Sequence, residues 1–160
     1  MKISEERFIQ IIEESFEEAV KEYSEILAGS VYHQIYSNGP YNWYDRTGEF
    51  FLAVSNPYIE IINHKASFDL YNTNFINSRN ADTSFGWKFG HHRSFPWERP
   101  HPSDKVVRKN LFDWLNEGFT ILGKKWHPGF HFFNKSADIE KRIREIMKKK
   151  ILEKVKKEVK

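Results

Sequence analysis

The sequence predicts an α+β fold: an N-terminal helix, a small antiparallel β-sheet with a long loop or arm, and packed helices that include a basic one at the C-terminus. Three observations predict it. Apolar residues recur every three or four places near both ends of the chain. Two short alternating runs meet across a turn in the middle. The length, 160 residues with 39% apolar side chains, suits one domain over residues 1–160.

Residues 4–28 form the first predicted helix, with Phe8, Ile11, Ile12, Phe16, Ala19, Tyr23, Ile26 and Leu27 at helical spacing. Ser4 is placed to cap it, the acids after it suit the positive end of the helix dipole, and Gly29 is placed to end it. Residues 30–43 make a shorter unit with a turn at Asn38-Gly39-Pro40. Thr47 or Asp45 then caps a short helix with Phe50, Phe51, Leu52 and Val54, and Pro57 breaks what precedes it. Residues 58–63 and 66–71 read as a hairpin, with Ile59/Ile61 and Phe68/Leu70 alternating and Asn63-His64-Lys65 as the turn.

From residue 72 to 102 the chain is first polar and turn-rich, then aromatic at alternate places, with Phe85, Trp87 and Phe89. So long a stretch either carries a strand pair or reads as an arm or insertion that orders against a partner. Ser103 opens a further helix with Val107, Leu111, Trp114 and Leu115 on one stripe, and Gly118 ends it. Gly123, Pro128 and Gly129 punctuate a loop, and residues 129–133 (GFHFF) read as a last short strand. Asn134 or Ser136 caps a final helix whose last turns, residues 150–160, are expected to project and fray.

Charge is unevenly placed. Residues 1–30 hold eight acids against three bases, and residues 141–160 hold ten bases against three acids. Such ends attract each other within one chain or between neighbours in a ring. The chain has no cysteine, which excludes disulfides, cysteine-ligated zinc and thiol catalysis. No apolar run is long enough to span a bilayer and MKISEERF lacks a signal core, so a soluble protein made in the cytoplasm, without membrane contact, is expected.

Catalytic patterns do not assemble. No nucleophile elbow or phosphate loop occurs, and GFTILGKKW lacks the spacing of one. Asp45 and Glu49 are four apart, but Arg46 beside them suggests surface pairing rather than acid–base work. His127 and His131 have the spacing of two metal ligands on a helix, yet Pro128 and Gly129 between them oppose a helix. No enzyme, metal or cofactor is expected. The competing function is nucleic-acid binding, through KKWHPGFHFFNK and the C-terminal lysines. A small enzyme with a histidine metal site ranks below it.

The order of YDRTGEFFLAV (44–54), the hairpin run after it, WLNEG (114–118) and HPGFHFFNKSADIEKRIREIMKK (127–149) resembles the head–tail joining proteins of tailed bacteriophages, the neck, tail-completion or minor tail proteins. In this chain Pro128-Gly129-Phe130 stands where that family sets Pro directly beside the apolar residue, and the arm is longer. The resemblance implies an α+β fold and no catalysis. It implies a structural subunit of the virion neck or tail, in a six-fold ring. The implied partners are copies of itself and the neighbouring connector and tail proteins, with nonspecific contact to phage DNA. Under it Arg46, Glu49, Phe85, Trp87, Phe89 and Trp97 are subunit-interface candidates, and Thr47 is the helix cap.

Overall fold

The structure, a computed structural model, describes residues 3–37, 48–76, 104–121, 124–127, 129–134 and 138–159. Helix α1 spans Glu5–Val31. Ser4 caps it as expected, its hydroxyl accepting from the Arg7 amide at 3.2 Å. Gly29 does not end it: the helix runs on to Val31 and then into a π-helical turn, Tyr32–Tyr36, closed by the Ser37 amide on the Tyr32 carbonyl. A glycine inside a helix costs about 1 kcal/mol. Here Leu27, Ala28, Val31 and Ile35 are buried on either side of it, and their burial outweighs that cost.

Helix α2 spans Glu49–Ser55. Its cap position is Gly48, in the left-handed region with φ 81, rather than Thr47. The start is set by a glycine that tolerates this backbone, with no capping side chain. Tyr36 supplies the missing acceptor, its hydroxyl taking the Phe51 amide hydrogen at 3.4 Å. Phe50 is buried, Phe51 is half-buried against Tyr32 and Tyr36, and Leu52 is exposed.

Strands β1 (Tyr58–Ile62) and β2 (Lys65–Asp69) form the expected antiparallel hairpin, Tyr58 opposite Asp69 and Ile62 opposite Lys65. Its two-residue turn, Asn63-His64, has φ of 49 and 62, the handedness that fits the strand twist. Ile59, Ile61 and Phe68 turn inward, and the Phe68 ring meets Phe16 of α1 edge-on at 6.1 Å. A short 3-10 turn, Thr73–Phe75, follows, and the Asn72 amide donates to the Ala53 carbonyl of α2. The start of the expected arm, with buried Ile76, thus belongs to the core. The rest of residues 72–102 lies outside the described residues.

Helix α3 spans Asp104–Glu117 and ends at Gly118, φ 86, whose amide closes on the Trp114 carbonyl. Two findings differ from the expectation here. Residues after Gly118 pair as a second hairpin, β3 (Phe119–Ile121) with β4 (Lys124–His127), where a loop is expected. Strands of three and four residues are too short to show a period. Conversely, residues 129–133 are not a strand. Left-handed Gly129 (φ 85) and His131 (φ 53) interrupt the extended backbone, and the amides turn to the end of α3.

Helix α4 spans Ile139–Glu158. Asp138 caps it, its carboxylate accepting from the Lys141 amide at 2.9 Å, so the cap falls after Asn134 and Ser136. Its last turns do not project as a frayed end but lie along α1. One hydrophobic cluster joins α1, α2, the first hairpin, α3, the 129–134 segment and α4. The α+β class with an N-terminal helix and small antiparallel hairpins holds, in a molecule dominated by its helices. No helix among the described residues is long and apolar enough to cross a membrane.

Candidate functional site

The acidic start and basic end of the chain meet each other in one subunit. On α1, Glu14, Glu18 and Glu22 are spaced by four and share one face; on α4, Lys150, Lys154 and Glu158 do the same. The helices run antiparallel, so the rows mesh as a ladder. Arg7 donates to Glu158 through Nε at 2.8 Å and also pairs with Glu14. Lys154 Nζ sits 2.8 Å from both Glu14 and Glu18, and Lys150 Nζ sits 2.7 Å from Glu22.

The titration of these groups follows the geometry. The Lys154 hydrogen bond, joined by Arg7 and opposed by partial desolvation, holds Glu14 below the ordinary carboxylate value. The Glu22 hydrogen bond raises Lys150. Desolvation pulls Lys154 down, and its bonds to Glu14 and Glu18 leave it raised. Arg7 is raised by Glu158.

Beside the ladder, α1 and the first hairpin enclose an open cleft of about 420 Å³ lined by Gln10, Glu13, Glu14, Glu17, Ile61, Asn63 and His64. His64 Nδ1 stands 2.8 Å from Glu13 Oε1, Glu14 belongs to the ladder, and Glu17 pairs with Lys21. Each lining carboxylate is therefore already paired. Among the described residues no group of three or more His, Cys, Asp or Glu side chains is placed to hold a metal.

The third assembly is aromatic. Phe50 of α2, Tyr71, Phe112 of α3, and Phe132 pack with ring centroids 5.3–6.0 Å apart, and Phe133 adds to Phe112 at 5.3 Å. Burial pushes the Tyr71 phenol up, and its hydroxyl has no hydrogen-bond partner among the described residues. The 129–134 segment reaches this cluster by crossing the end of α3. Phe130 and His131 amides donate to the Leu115 and Asn116 carbonyls at 2.8 and 2.9 Å. The buried Asn116 side chain accepts from the Phe133 amide at 2.8 Å. At Gly129 a β-carbon would lie 2.5 Å from the Asn116 carbonyl oxygen, so only glycine fits.

The residues singled out from the sequence fall as follows. Arg46, Thr47, Phe85, Trp87, Phe89 and Trp97 lie outside the described residues, as does Asp45. Glu49 opens α2, at the end where the helix dipole favours a carboxylate. His127 ends strand β4, its side chain outside the described atoms, and His131 is an exposed left-handed residue beyond Gly129. The helical register that would let the two histidines share a metal is not formed. Sequence reasoning missed Arg7, Asn116 and Gly129. The four-residue spacing of Glu14, Glu18 and Glu22 against Lys150 and Lys154 was the legible signal for the ladder.

No protein-family model matches the sequence, no curated protein matches it, and no solved structure matches its fold.

Proposed function

We propose that the chain is a structural, non-catalytic subunit that joins head to tail in a tailed bacteriophage. Copies assemble into a ring, six-fold, in the neck of the virion, between connector and tail proteins. The observation that carries this reading is the order of the four motifs from Tyr44 to Lys149. Their described residues serve as joints of the fold: Gly48 starts α2, Gly118 stops α3, and Gly129 lets the chain cross α3. The reading assigns the protein no reaction and no cofactor.

On this reading the ring contacts lie away from the ladder. The oppositely charged chain ends satisfy each other within one subunit, so they are not the complementary faces of a ring. The outer face of the first hairpin is the better surface. Tyr58 and Ile62 are exposed on it, and each strand there has one open edge among the described residues. Light scattering after size exclusion, across concentration, with negative-stain images of any large peak, tests this. Rings of constant copy number are expected. A monomer at every concentration, with no rings on the grid, removes the self-assembly on which the reading rests.

A further inference from the structure

The ladder divides the charges of α4 into two sets. Lys150 and Lys154 face α1 and are committed to its carboxylates. Lys141, Lys148, Lys149 and Lys156 share the opposite face, following a spacing of seven, one and seven residues. All four are exposed, and none forms a salt bridge with a described residue. Glu145 interrupts the row and Glu153, four residues from Lys149 and three from Lys156, borders it, because Glu158 turns to Arg7 and Glu140 pairs with Arg144. The row is about 22 Å long at 1.5 Å per residue. It is pinned, since the other side of the helix is seated on α1.

We propose that this outer face of α4 binds the phosphate backbone of duplex nucleic acid without reading sequence. A rigid row of cations spaced along a helix suits a regular line of phosphates, where each contact releases a condensed counterion. An anionic membrane suits it less: Leu152 is the exposed apolar residue within the row, and the row holds no aromatic to anchor in lipid. The acidic face of a second copy also suits it less. Glu14, Glu18 and Glu22 are occupied by the ladder, Glu13 by His64 and Glu17 by Lys21. Glu5, Glu6 and Glu25, near the ends of α1, make no matching row. The proposal stands apart from the ring reading, because a monomer carries the whole row.

The test is fluorescence anisotropy of a labelled 30-base-pair duplex against the full chain over a range of sodium chloride concentrations. Four phosphate contacts predict a slope of log K against log salt of about −3.6. The K148Q/K149Q variant is expected to lose about two units of that slope and at least about tenfold in affinity at low salt. K65Q/K109Q removes the same charge from exposed positions on β2 and α3 and is expected to stay within about twofold. Circular dichroism checks that both variants fold; the substituted lysines touch no partner in α1. Equal losses in the two variants would reduce the effect to net charge and overturn the proposal. So would a wild-type chain that does not bind the duplex, or one that binds vesicles of phosphatidylserine and phosphatidylcholine more tightly than the duplex.

Discussion

Gly129 and Ser15 show opposite ways in which one residue sets local stability. A side chain at Gly129 would have to hold a left-handed backbone and displace the end of α3. The first effect alone costs about 1–2 kcal/mol. Gly129→Ala is therefore expected to lower unfolding stability by about 2 kcal/mol or more, read as a lower denaturant midpoint at unchanged slope. A shift under about 0.5 kcal/mol would mean that the α3 terminus yields easily. Ser15 is fully buried and its hydroxyl has no hydrogen-bond partner among the described residues. Removing an unsatisfied buried hydroxyl relieves its desolvation, and alanine is the better helix former. Ser15→Ala is expected to raise stability by about 0.5–2 kcal/mol in the same titration; a loss would reveal a partner for the hydroxyl. Neither role is visible in sequence. Pro128-Gly129 reads as a turn, and nothing local says that the backbone of α3 lies against it. Ser4 and Gly118, by contrast, act on their own helix ends and were legible for that reason.

At the scale of elements, helices with a strong apolar stripe were legible and their ends were less so. Gly29 gave a local stop signal that the burial of Val31 and Ile35 overrides. Strands β3 and β4 escaped because pairing, not pattern, makes them. The α1–α4 ladder carries a pH prediction. Glu14 sits below its ordinary value of 4.5, so its stabilising share is complete above the unfolded-state value and lost as pH falls through the lower folded one. Lys150 and Lys154 sit above 10.5, so their share is complete below that value and lost as pH rises through their folded ones. The ladder should thus persist across neutral pH and weaken at both extremes. Lys154→Glu sets a carboxylate against Glu14 and Glu18 and is expected to lower the neutral Tm by about 2–6 °C. As pH falls through the lowered folded value of Glu14, that repulsion fades and wild type and variant should draw together. A gap that stays constant from neutral pH down into the acid range would show that Lys154 acts through packing instead.

For the whole molecule, composition and charge asymmetry pointed to an attraction between the chain ends without saying whether it closes within a subunit or across two. Helical phase decides: the acids and lysines that mesh border the apolar sides of α1 and α4, so the core that joins those sides brings the charges together as well. The final turns are consequently structural. Ending the chain after Lys149 removes Glu158 from Arg7, which keeps Glu14, and takes away both lysines of the ladder. The expected result is a clearly lower Tm with increased binding of an apolar dye. An unchanged melting curve would restore the frayed end that composition alone suggests.

Arg7 and Glu158 meet across 151 positions of sequence. A helix made early is thus covered by a helix made much later. At about 5–20 residues per second, the ribosome takes roughly 8–30 s to deliver that partner. Throughout this interval the buried side of α1, from Ile11 to Val31, has no α4 to cover it. Glu14, Glu18 and Glu22 border that side, and until Lys150 and Lys154 are made they are three like charges in one row along the helix. The same carboxylates wait unpaired with α4 during synthesis and, once Lys150 and Lys154 emerge, become the latch on the finished fold.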